Sequence, residues 1–212
     1  MITISAFKWV PPFAVGLVRD LRVRWALEEA GLPYQARLID QEVQMSPDYR
    51  ARQPFGQVPV FEEDGLVLFE SGAIVIHIGM RSEALLPTDP KGRARAITWI
   101  MAALNSMEVF IQPLAALDLF YPEQQWAQLR RPGAEAEVKR RLSELAAALG
   151  DREYLEERFT AGDLMMTTVL RILRHTDLVN NQPRLKAYQA RCEARPAFQR
   201  ALSDQVADFD KS

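Results

Sequence analysis

The residues with the chemistry to bind or react are concentrated in the first third of this 212-residue sequence. Glu70 and Ser71, followed by Gly72, stand before an apolar segment, Ala73 to Ile78, and place a carboxylate and a hydroxyl where we expect a helix to start. The unpaired N–H groups of such a start form a site for an anion, so a ligand carboxylate could be held there. Nearer the N-terminus, Lys8, Trp9, Arg19, Arg22 and Arg24 bring an ammonium, an indole donor and three guanidinium groups into one stretch. Between Ser5 and Tyr34 that stretch contains no Ser, Thr, Tyr or Cys. His77 and His175 are far apart, and Cys192 is the sole cysteine, so no metal-ligand spacing and no internal disulfide is expected.

The elements that must position these residues can be read from local pattern. Ile2 to Phe7 is β-prone, and a helix from Leu17 or Asp20 to Ala30 is expected, with Leu21, Trp25 and Leu27 or Glu28 on a buried face. Gly31 and Pro33 end it, and Tyr34 to Leu38 is a second strand. Ser46-Pro47-Asp48 opens a short helix. Val58 to Phe61 and Leu66 to Phe69 are apolar runs on either side of Asp64-Gly65, a strong hairpin signal. Leu86-Pro87-Thr88-Asp89-Pro90 reads as a linker, and everything after it is helical by pattern.

Lys91 to about Leu119 should be one long helix kinked at Pro113, and Pro132 to Leu149 a second. Thr160 and Asp163 form a capping box for Leu164 to Leu173, a structural role for Asp163, and two further helices begin near Pro183 and Pro196. Hydrophobic residues are 48% of the chain, charged residues 25%, and the net charge is −2. That balance fits a globular protein and offers no electrostatic case for nucleic acid. Apolar runs are broken well short of the about 20 residues a bilayer span needs, so no membrane is expected. The N-terminus lacks a leader pattern, so we expect a cytoplasmic protein.

Phe55-Gly56-Gln57-Val58-Pro59-Val60, then Asp64-Gly65, then Glu70-Ser71, resembles the glutathione-binding half of the cytosolic glutathione transferases. Ala187-Tyr188 through Arg195-Pro196-Ala197-Phe198 is similar to that family's C-terminal pattern. The resemblance implies an α/β plus all-α protein: a thioredoxin-like domain over residues 1–82, matching the βαβα-ββα order above, and a C-terminal α-helical bundle over 91–212. It also implies glutathione as co-substrate, a homodimer, and a small apolar electrophile or a peroxide as second substrate. Carried over by residue, a cis Pro59 and the backbone of Val58 would pair with the cysteinyl part of glutathione. Glu70 and Ser71 would hold the γ-glutamyl end, and Gln44 or Arg52 the glycyl carboxylate.

The family activates the glutathione thiol with a Tyr, Ser or Cys near the start of the first helix, and here that residue is missing. Trp9, the amides of the helix start and Arg19 are then the candidate donors to a thiolate. The same residues also suit a bland role, Trp9 and Phe13 as a hydrophobic wall and the arginines as a solvated helix face. Phe13, Met101, Asn105 and Glu108, with Met107 and Phe110, are candidates for the wall around the second substrate. The alternative to an enzyme is a glutathione-transferase-like binding or interaction protein that has lost the chemistry. Isomerases of the family carry a serine-rich loop that this sequence lacks.

Overall fold

The computed structural model describes residues 1–209, so the last three positions of the expected helical part lie outside the described residues. The chain divides into two compact units, Met1–Leu86 together with the chain from Arg195 onward, and Pro87–Ala194.

In the first unit a four-stranded sheet runs in the order β2-β1-β3-β4. Strand β1 (Ile2–Phe7) pairs in parallel with β2 (Tyr34–Ile39), and antiparallel with β3 (Phe61–Glu63), which pairs with β4 (Leu66–Leu68). The β3–β4 turn has positive φ at both Asp64 (49°) and Gly65 (86°), as a two-residue hairpin requires. Helix α1 (Asp20–Ala30) ends in a left-handed Gly31, with Leu32 N–H bonded to the Leu27 carbonyl. Short helices α2 (Gln41–Met45) and α3 (Pro47–Arg52) follow β2, capped by the side chains of Asp40 and Ser46, and α4 (Ser71–Gly79) follows β4.

Helix α1 is not amphipathic as its spacing suggested. Every residue from Asp20 to Leu27 is buried, because α4 and the C-terminal helix α10 (Pro196–Phe209) both pack on it. Arg22 and Arg24, for which a solvated helix face was the bland alternative, are 3% and 2% exposed. Arg24 donates from Nε to Asp20 at 2.8 Å and from Nη2 to Asp208 of α10 at 2.7 Å, while Gln205 donates to Asp20 at 2.7 Å. Burial pushes the Asp20 carboxyl above its ordinary range, against the pull of Arg24. Trp25 meets Phe198 edge to face at 4.8 Å, and Arg195 grips Glu29 with two hydrogen bonds. The helix expected to close the second part of the chain is therefore packed into the first unit.

The second unit comprises α5 (Pro90–Ala102), a π-helical turn (Ala103–Glu108), α6 (Val109–Phe120), α7 (Gln125–Leu149), α8 (Ala161–Leu170) and α9 (Pro183–Glu193). Helix α8 is buried throughout. At Gly162 a Cβ would come within 2.6 Å of the Trp99 Cβ, so the close packing of α5 on α8 needs a glycine there. Two expectations change in this unit. The long helix departs from regular bonding at the π turn, ahead of Pro113, which lacks the N–H for the Val109 carbonyl. Helix α7 begins at Gln125 and runs through Pro132, in a stretch exposed enough for solvent to bond the carbonyl that proline leaves without a donor. The run Pro90–Phe120 is also long and apolar enough, by length and composition, to cross a membrane. No such span was expected from the broken apolar runs; nearly half of its most apolar 18-residue window is buried inside the protein, and Ala96, Ile100, Ile111 and Leu114 of the run are core residues.

Candidate functional site

Helix α4 starts without a cap. Glu70 is the N-cap residue, and its side chain makes no capping hydrogen bond. Its φ of 69° and ψ of 111° are rare for a residue with a Cβ, a strain of order 1–3 kcal/mol. The first intrahelical bond is Ile74 N–H to the Glu70 carbonyl at 3.0 Å, so the amides of Ser71, Gly72 and Ala73 precede the helix's own bonding. Ser71, expected to cap, instead occupies the first helical position, where its hydroxyl accepts from Arg22 Nη1 at 3.2 Å. Arg22 thus joins the site from α1, a partner 49 residues away that no local pattern announces.

The Val58–Pro59 peptide is cis. The Val58 side chain packs in a core cluster with Ile39, Tyr49 and Val60, joined by Phe7 and Val18. That cluster brings the end of β1, the approach to α1 and the cis-proline loop into one neighbourhood. The backbone on either side of Val58 is held: Gln44 donates to the Gly56 carbonyl at 2.6 Å, Tyr49 to the Gln57 carbonyl at 2.6 Å, and Val60 N–H to Ser5 Oγ at 2.7 Å. Among the described residues nothing bonds the N–H or carbonyl of Val58 itself. Gln44 is thereby engaged within the protein, and so is Arg52, which donates to Glu62 at 2.9 Å and to the Asp48 carbonyl at 3.2 Å.

After β1 the loop is tied down at Lys8, whose N–H donates to the Ile39 carbonyl at 2.9 Å and whose ammonium meets Asp40 at 2.8 Å. That hydrogen bond from Lys8 holds the Asp40 carboxyl below its ordinary range. Trp9 is 64% exposed, so it is not part of a packed wall; Phe13 and Arg19 are half-buried. His77 stacks edge to face on Phe61 at 5.4 Å, a packing role. In the second unit Met101 and Asn105 are exposed, Met107 and Glu108 are buried, and Phe110 lies 4.5 Å beneath the Arg141 guanidinium. Asn105 and Glu108 both sit in the π-helical turn.

A parallel-antiparallel sheet with a cis-proline loop and an uncapped helix beside it defines a class, and comparison with known proteins identifies it. The family model described as glutathione S-transferase, N-terminal domain, matches residues 14–80. A probable glutathione S-transferase of rice (Oryza sativa subsp. japonica), GSTF2, is 30% identical over 195 residues, covering 84% of this chain and 87% of that one. The glutathione S-transferase GstA of Escherichia coli O157:H7 is 27% identical, with 84% and 89% covered. A glutathione transferase from Burkholderia graminis, solved with two glutathione molecules bound per subunit, superposes with a TM-score of 0.83 at 26% identity, over 95% of this chain and 87% of that one. The theta class glutathione S-transferase of Xanthomonas axonopodis pv. citri, solved with glutathione bound, gives 0.79 at 27% identity over 95% and 96%. This chain belongs to the glutathione S-transferase family.

Proposed function

We propose that the protein is a glutathione transferase that binds glutathione in its first unit, ionises the thiol, and directs it at an apolar electrophile or a peroxide. The observation that carries this reading is the pairing of an uncapped α4 start with an unbonded Val58 backbone, two sets of donors and acceptors that the fold holds in place and that no hydrogen bond among the described residues uses. The amides and hydroxyl at Ser71 take the γ-glutamyl carboxylate, and the Glu70 carboxylate takes its ammonium. Val58 pairs with the cysteinyl backbone beside Pro59. Gln44 contributes by fixing Gly56, and Arg52 is the remaining basic candidate near the glycyl end.

The thiol then has to lose a proton to solvent. A free thiol with pKa about 8.5 is mostly protonated at neutral pH, so a donor or positive charge must face the sulfur. The exposed Trp9 indole, the amides leading into α1, and Arg19 are our assignments for that task. Phe13, Met101, Asn105 and Glu108 remain the candidates to contact the second substrate. A role in detoxification, a cytoplasmic location and a homodimer complete the proposal. For the dimer, the support is the exposed aromatic pair Phe55 and Phe69, 6.2 Å apart, which a second copy would cover.

The test is the thiolate absorbance of bound glutathione as a function of pH. Trp9→Phe removes the indole donor and keeps most of the bulk, while Arg19→Met removes the charge and keeps much of the stem. A rise of about one unit in the bound thiol's pKa, equal to about 1.4 kcal/mol, identifies the group responsible. If both variants keep the parent's thiolate and turnover, backbone amides carry the activation. The lack of any Ser, Thr, Tyr or Cys between Ser5 and Tyr34 favours a second reading, a binding protein without chemistry. Bound glutathione with no thiolate near neutral pH in the parent protein would establish that reading instead.

A further inference from the structure

The geometry points to Ser5 and Tyr49 as positioning residues that hold the glutathione-pairing loop open at both ends through one directional chain of hydroxyl groups. The inference rests on the reading above, in which Val58 pairs with glutathione, and concerns what keeps Val58 ready for it.

Three contacts fix the direction. The Tyr49 hydroxyl donates to the Gln57 carbonyl at 2.6 Å, and a carbonyl can only accept. Tyr49 has one proton and spends it there, so the 2.8 Å contact between Ser5 Oγ and Tyr49 Oη must run from serine to tyrosine. Ser5 Oγ in turn accepts from Val60 N–H at 2.7 Å. The chain is therefore Val60 N–H to Ser5 O–H to Tyr49 O–H to Gln57 C=O, with every group satisfied. Both of its ends lie on the same short loop, one on each side of the Val58–Pro59 pair. Ser5 also donates its own amide to the Val60 carbonyl at 2.8 Å, so one residue of β1 holds both backbone groups of Val60.

The chain is shielded from competing water. Ser5 is 5% exposed and Tyr49 2%. Burial pushes the Tyr49 phenol up, so it keeps the proton on which the direction depends. Tyr49 arrives from α3, where its own N–H is bonded to the capping hydroxyl of Ser46 at 3.2 Å. The loop's backbone is thus held by a strand on one side and a capped helix on the other, and Val58 is left with its donor and acceptor unspent. A ligand that pairs with Val58 then meets a backbone already ordered, and the entropic cost of arranging it does not weaken binding.

The test is calorimetric titration with glutathione of the full chain, with steady-state kinetics run in parallel. Tyr49→Phe keeps the ring in the core cluster and removes only the oxygen; Ser5→Ala cuts the chain at the other link with a smaller change in volume. Each is expected to weaken glutathione binding about tenfold, through the two buried hydrogen bonds lost with the hydroxyl and a looser loop, and to raise KM for glutathione similarly. Turnover at saturating glutathione should stay within about twofold of the parent, because the groups facing the sulfur are untouched. Tyr188→Phe is the control: it removes an equally buried phenol bond, to Asp163 in the second unit, and should lower stability without changing glutathione affinity. If the parent binds and either folded variant binds as tightly as the parent, the positioning role is overturned while the functional reading stands. If Tyr188→Phe weakens binding as much as the other two, the effect is general destabilisation and the proposal also fails. A parent that does not bind glutathione overturns both.

Discussion

Helices α4 and α8 each begin with residues that a sequence reader takes for a cap, and the protein finishes the two starts in opposite ways. At α8 the start is closed. Asp163 accepts from the Thr160 amide at 2.8 Å and from the Leu155 amide at 2.8 Å, the Tyr188 hydroxyl adds a third bond at 3.0 Å, and Gly162 N–H turns to Thr160 Oγ1. Thr160 and Asp163 are fully buried. At α4 no side chain among the described residues caps the end, Glu70 adopts a strained positive φ, and its side chain stays exposed. A helix start that a protein seals is serving stability, and one it leaves open at an energetic cost is available to a ligand.

Substitution can separate the two ends. The largest effect is expected at the closed one. Asp163→Ala strands the Leu155 and Thr160 amides and the Tyr188 hydroxyl in a dry interior, and should lower unfolding free energy by about 4 kcal/mol in urea denaturation. The folded fraction should bind glutathione as the parent does. At the open end the balance reverses. Ser71→Ala should weaken glutathione binding by about 1.5–3 kcal/mol in calorimetry, while costing no more than about 1 kcal/mol of stability. Equal losses of stability at both sites would break the distinction.

The smallest effect sharpens the contrast among sealed ends and is read from pH. Burial raises the Asp163 carboxyl above its ordinary 3.8, so its folded form holds the proton longer than the unfolded chain, and stability declines as pH climbs from 3.8 through the raised value. Asp40, which caps α2 in solvent, is shifted the other way by its hydrogen bond from Lys8. Its contribution is present above 3.8 and disappears as pH falls through the lowered value. Asp40→Asn should therefore differ from the parent in the acid limb of a stability profile, with the gap between the two closing below pH 3.8. A gap that widened on acidification would reverse the sign assigned to Lys8.

What could be read from sequence was whatever a few neighbouring residues decide. The Asp64-Gly65 hairpin, the Gly31 stop and the Thr160–Asp163 box are each complete within four residues, and each stands in the structure as its local chemistry required. The α8 start and the position of Glu70 before α4 were legible for the same reason. Arg22 on Ser71, Ser5 on Tyr49 and Arg24 on Asp208 were not, because their partners lie 49, 44 and 184 residues away. Periodicity also misjudged α1, since a helix covered on both sides shows no polar face, and Arg24 is balanced not only by Asp20 four residues before it but by Asp208, which no window along the chain contains. Pro132 misled for a different reason: an exposed helix segment tolerates the proline that a buried one would not.

The ion network between α1 and α10 has a consequence for how the protein is made. Arg24 leaves the ribosome well before Asp208, which completes its charge balance and follows 184 residues later. At about 5–20 residues per second, the interval is roughly 10–40 s. During that time the nascent first unit carries a guanidinium and an indole, Trp25, whose covering helix has not yet been synthesised. The unit translated first is the one finished last, and a chain that stalls before α10 displays that uncovered face to whatever attends the ribosome.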